Sequence, residues 1–172
     1  DIANHEIAKK MKAKGVEVRV LGSTPPDLNQ RFDKVEYNAE GIPVTLVRHD
    51  FLQKLRSEIR EFRPDVVFTS CPEPNCSCDD IEKMVDIFEN ASIPVVLYVH
   101  NIEGTIDLFK PVKNKLAKVI TNSHFMARRV KELWSIDCDI VYPVPERTSV
   151  SPRASDGPFI TFFNPNKRKG LH

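Results

Sequence analysis

The stretch IPVVLYVHNIEG, residues 93–104, decides how the rest of the chain is read. Val95 to Val99 form an unbroken run of aliphatic and aromatic residues with no polar alternation, the pattern of a strand covered on both faces. The run passes straight into His100, Asn101 and Glu103, and Gly104 breaks it. A covered strand that stops on chemically capable side chains is expected at the carboxyl edge of a parallel sheet. In open α/β sheets that edge is where ligands bind.

The neighbouring segments agree with this reading. Before it, DVVFTS (65–70) is a second short buried strand, and DDIEKMVDIFENA (79–91) a helix capped by Asp79 or Asp80. Further upstream, HDFLQKLRSEIREFRP (49–64) places Phe51, Leu52, Leu55, Ile59 and Phe62 on one helical face and stops at Pro64. GIPVTLVR (41–48) reads as a strand, 23–40 as a proline-containing polar loop, VEVRVLG (16–22) as an alternating strand, and 2–14 as an amphipathic helix ending at Gly15. After the quoted stretch, 105–116 holds a short helix broken near Pro111 and AKVITNS (117–123) is a strand. SHFMARRVKELWS (123–135) is a helix with Ser123 as N-cap, and CDIVYP (138–143) is a strand.

Strands alternate with helices almost throughout, so the expected fold class is α/β, a doubly wound, mostly parallel, Rossmann-like sheet with right-handed crossovers. Residues 1–150 form this domain, 151–158 fall in Pro-, Ser- and Arg-rich linker composition, and FITFFN (159–164) opens a new strand in 159–172. The chain opens inside a helix, so a first strand is expected to precede it.

Composition narrows the function. The 172 residues are 41% hydrophobic and 28% charged with a formal net charge of +1, which suits one globular core and argues against a nucleic-acid binder. No apolar run reaches the roughly 18 residues of a membrane-spanning helix, and no signal peptide is visible, so a cytoplasmic location is expected. There is no G-x-G-x-x-G, no Walker A loop and no G-x-S-x-G elbow. Cys71, Cys76 and Cys78 stand as C-x4-C-x-C, not as paired C-x-x-C units. Free thiols are the reading adopted, with a disulfide, or zinc held with Cys138 or a histidine, as alternatives; no metal is assigned.

The candidate site residues all fall at strand ends. His100 can donate to a substrate hydroxyl or stabilise cation-like charge. Asn101, Glu103, Asn122 and Ser123 are candidate substrate-binding groups, although Glu103 also suits a surface acid and Ser123 a simple cap. Ser70 ends the neighbouring strand. Lys167, Arg168 and Lys169 precede Gly170 just after the last strand, where positive charge and backbone donors suit a diphosphate.

Taken in order, these pieces resemble the amino-terminal domain of retaining glycosyltransferases of family 4 (group 1), which have the two-domain GT-B fold. HEIAKKMKAKGVEVRVL is similar to that family's first helix and second strand, RPDVVFTS to its Lys/Arg-Pro-Asp-Val-Val strand, and VVLYVHNIEG to its strand ending in histidine. AKVITNSHFMARRVKE, IVYPVPE and FITFFNPNKRKGL resemble the elements that follow, the last with its Lys-Gly-Leu. Phe163-Asn164 stands where the family usually has Gly-Arg.

The resemblance implies an acceptor-side domain that works with a nucleotide-sugar donor as co-substrate and no other cofactor. The acceptor would be a glycan, a lipid-linked molecule or a small molecule. In this scheme His100 lies near the transferred sugar, Lys169 and Arg168 meet the donor diphosphate, and the full-length protein can contact a membrane peripherally. The Glu-x7-Glu motif of the second domain lies beyond these residues, so the fragment alone is expected to be inactive. A non-catalytic ligand- or partner-binding α/β module is the alternative.

Overall fold

The computed structural model describes residues 2–23, 34–70, 77–101 and 105–142. The expected linker, the strand at 159–164, Arg168, Lys169, Glu103, Cys71 and Cys76 lie outside them.

Helix α1 (Ile2–Ala13) ends where Gly15, at φ 83°, donates to the Lys12 carbonyl, the left-handed stop that glycine adopts without strain. Strand β1 (Val20–Ser23) is shorter than the alternation at 16–22 suggested. It pairs in parallel with β3 (Ile42–Val47), and the ladder begins at Val20 opposite Val44. The preceding β3 residue is Pro43, which has no N–H to offer.

The loop expected over 23–40 is corrected at its end. Lys34–Ala39 is a strand, β2, antiparallel to β3. Glu40 and Gly41, at φ 52° and 81°, join the two in the doubly left-handed turn that matches hairpin twist. The Asn38 side chain accepts from the Gly41 N–H, which helps to close that turn.

Helix α2 (Phe51–Phe62) stops at Arg63, whose left-handed backbone precedes Pro64. Strand β4 (Val67–Thr69) is followed in chain order by α3 (Cys78–Asn90). The N-cap of α3 is Ser77, two or three residues earlier than the expected Asp79 or Asp80. Ser77 Oγ accepts from the Asp80 N–H at 3.2 Å, and the Asp80 carboxylate accepts from the Ser77 N–H at 3.1 Å. This reciprocal pair satisfies two helix-end donors. The Ser77 hydroxyl, and then its N–H, hold the Asp80 carboxyl below its usual pKa. Ser77→Ala is expected to cost about 1 kcal/mol, read as a lowered urea midpoint with native circular dichroism.

Strand β5 (Val95–Val99), helix α4 (Thr105–Phe109), a 3-10 turn at Lys113–Lys115, strand β6 (Lys118–Thr121), helix α5 (His124–Trp134) and strand β7 (Asp139–Ile140) complete the described chain.

The described strands form two sheets rather than one. One has the order β1-β3-β2, and the other, β4-β5-β6-β7, is parallel throughout. The interior of the parallel sheet is the quoted stretch. Leu97 and Val99 point into a cluster with Ile81 and Val85 of α3, Phe109 of α4, Val119 of β6, and Met126, Val130 and Trp134 of α5. Burial of each such side chain contributes roughly 1.5–3 kcal/mol, and this is what holds three helices on one face of the sheet. A second cluster joins Leu55 of α2 to Ile87, Phe88 and Val95.

Candidate functional site

The register of the parallel sheet sets the site. Val99 of β5 lies opposite Thr121 of β6, so the next residues, His100 and Asn122, leave the sheet side by side. The Asn122 side-chain amide donates to the His100 carbonyl at 3.3 Å. Ser123 donates to the Asn122 side-chain oxygen at 3.2 Å and accepts from the Met126 N–H at 3.3 Å. Ser123 is therefore the N-cap of α5, as the sequence suggested, and it also orients Asn122. On the other flank, Ser70 follows β4 and accepts from the Asn4 side-chain amide of α1 at 2.5 Å.

His100, Asn101, Asn122, Ser123 and Ser70 thus converge on one carboxyl edge. Glu103 belongs to the residues outside the description.

The imidazole of His100 is half-buried, and beneath it lies a group that was not singled out from the sequence. Tyr98 is fully buried, its ring 5.6 Å from the imidazole and 5.8 Å from Phe68. The signal was available, because residues two apart on a strand share a face. The Tyr98 hydroxyl has no hydrogen-bond partner among the described residues, and burial raises its pKa. It stays a neutral phenol, so the floor under His100 carries no charge.

Burial also lowers the His100 pKa from the usual 6.5. The neutral imidazole prevails at pH 7, with one ring nitrogen able to donate and the other to accept. The folded state binds this proton less readily than the unfolded chain does. The stability linked to it is therefore complete above about pH 6.5 and is lost as the pH falls through the lower folded midpoint. An NMR titration is expected to place the His100 midpoint below 6.5; a midpoint above that value would contradict the role of burial.

Neither of two shallow hollows is lined by His100, Asn101, Asn122 or Ser123. One is lined by Val85, Ile93, Pro94 and Lys115, and the other by His124, Arg128, Lys131 and Cys138. The described residues hold no group of three or more potential metal ligands, and Cys78 and Cys138 are free thiols. None of the described helices is long and apolar enough to cross a membrane.

A parallel α/β sheet whose strand ends gather a neutral histidine, amides and hydroxyls defines a Rossmann-like domain with a polar ligand edge. Residues 3–145 match the model of Glycosyltransferase Family 4, and the chain belongs to that family. Comparison with curated proteins and with solved structures returned no match. Membership supports a glycosyltransferase-type function, with a sugar donor and an acceptor as partners.

Proposed function

We propose that the chain is the acceptor-side domain of a GT-B enzyme that moves a sugar from a nucleotide-sugar to an acceptor with retention of configuration. The observation that carries this reading is the position of His100. It ends the most buried strand, rests on Tyr98, and has its carbonyl tied to Asn122.

A neutral imidazole suits the chemistry. It can donate to a hydroxyl of the transferred sugar, and it adds no positive charge beside an anomeric carbon that becomes cation-like as the donor bond breaks. Asn101 and Asn122 add amide groups that match sugar hydroxyls in hydrogen-bonding capacity. Ser123, already engaged as a cap, positions Asn122. Stabilisation of the leaving diphosphate falls to Arg168, Lys169 and the second domain, so the first domain alone does not turn over.

The test is transfer from a panel of nucleotide-sugars to glycan, lipid-linked and small-molecule acceptors by the full-length protein and its His100→Ala variant. Transfer by the parent that the variant loses supports the proposal. Equal activity in both removes His100 from the chemistry. Ligand binding with no transfer by the parent identifies a binding module instead.

A further inference from the structure

Strand β2 ends its sheet: among the described residues it pairs only with β3. Its free edge is regular. All six residues, Lys34 to Ala39, stay in register with β3, with no bulge and no proline to blunt the edge. The two charges on it, Lys34 and Glu36, are paired with each other at 2.6 Å. Tyr37, beside them, is 50% exposed.

The turn after β2 fixes which backbone groups are free. Glu40 and Gly41 form a two-residue turn, so Ala39 and Ile42, which flank it, are a hydrogen-bonded pair. The next pair, Asn38 and Pro43, is then a non-hydrogen-bonded one, which suits a proline without an N–H. The two kinds of pair alternate, so Val35, Tyr37 and Ala39 direct their backbone groups to β3. The N–H and C=O groups of Lys34, Glu36 and Asn38 point outward.

We infer that this edge binds the same edge of a second copy of the chain, antiparallel, with Tyr37 on the two-fold axis. The residues of β2 select both the partner and the register. Residues directly opposite in an antiparallel ladder are either both hydrogen-bonded or both not, so the axis passes through a residue. An axis at Glu36 sets two carboxylates face to face, and one at Asn38 sets Glu36 opposite Glu40; like charges so placed destabilise a sheet. An axis at Val35 engages only Lys34 to Glu36 of the strand on each side. An axis at Tyr37 engages Val35 to Ala39.

In that register the two Tyr37 rings meet as a non-hydrogen-bonded pair, the closer kind, with Cα atoms about 4.5 Å apart. Glu36 faces the partner's Asn38. The Asn38 side-chain oxygen is engaged by the Gly41 N–H, so its amide hydrogens are left to donate to the carboxylate. Val35 meets the partner's Ala39, and Lys34 approaches the oppositely charged Glu40 of the partner subunit. Glu36 of each copy exchanges two backbone bonds with Asn38 of the other. A contact this small gives a weak, concentration-dependent dimer. The inference is independent of the glycosyl-transfer reading.

Sedimentation of the full-length protein from micromolar to millimolar concentration tests it, and a monomer–dimer equilibrium is expected. Glu36→Pro removes an outward N–H, which an edge strand tolerates, and with it half of the backbone bonds between the copies. It should raise the dimer dissociation constant about 30-fold while far-ultraviolet circular dichroism stays native. Val35→Cys, Glu36→Cys and Tyr37→Cys, made singly and oxidised with diamide, read the register. Only Tyr37→Cys should give a covalent dimer joined through the substituted position, identified by mass spectrometry of the linked peptide. Direct opposition brings the two side chains within disulfide reach. A protein that stays monomeric throughout overturns the inference. A dimer that Glu36→Pro leaves unchanged, or that Tyr37→Cys does not link, lies on another surface and overturns it too. A link through position 35 or 36 puts the axis elsewhere and overturns the proposed register.

Discussion

His100→Ala in the full-length protein is expected to lower kcat for sugar transfer by about 10²- to 10³-fold, the scale seen when one preorganised polar group is removed from a developing charge. The loss should fall on kcat more than on KM, because the imidazole is placed to respond to the reacting sugar rather than to hold the nucleotide. The variant should fold. The side chain is half-buried at a strand end, and the bond from Asn122 goes to its backbone carbonyl, which alanine keeps. His100→Asn restores a donor without a titrating proton and should recover part of the rate. The parent's kcat/KM should be level around neutrality and fall on the acid side with a midpoint below 6.5, since burial lowers this pKa. The acid limb should be absent in His100→Asn. An acid limb that survives unchanged in that variant would assign the titration to another group.

The largest expected effect on stability is at Phe109. Its ring is fully buried, on a five-residue helix, among Leu97, Val99 and Trp134. Phe109→Ala removes the ring's transfer free energy and leaves a cavity that the surrounding strands and helices can close only in part. The cost should be about 3–5 kcal/mol, a large share of the roughly 5–15 kcal/mol that holds a typical domain together. In urea the midpoint should fall by roughly 2 M. Trp134, the only tryptophan in these 172 residues, belongs to the same cluster and reports its unfolding by fluorescence. Phe109→Leu keeps most of the volume and should lose far less. A midpoint shift below about 0.5 M for the alanine variant would show that the cluster is not the stabilising core.

Much of this protein was legible before any coordinates. The unpatterned apolar run at Val95–Val99 identified a strand covered on both faces, and the helical spacing of Phe51, Leu52, Leu55, Ile59 and Phe62 identified α2. Ser123 read as an N-cap and is one. The misreadings have separate causes. KVEYNA was taken as loop because strand β2 is an outer strand and mostly exposed, so little in its own composition marked it. Asp79 and Asp80 drew the cap of α3 away from Ser77, because a serine and an acid three apart form a reciprocal pair in which either can pass for the cap.

By itself, the sequence determined the succession of elements and the placement of His100, Asn101, Asn122 and Ser123 at strand ends. Periodicity, capping and backbone restrictions act over a few residues and can be read without partners. Tertiary structure alone decided that the described strands divide into two sheets and that Asn4 reaches Ser70. It also decided that Tyr98 carries an imidazole kept neutral by burial. Strand pairing joins residues distant in the chain, and desolvation depends on every atom that excludes water from a group, so neither is written in any local pattern.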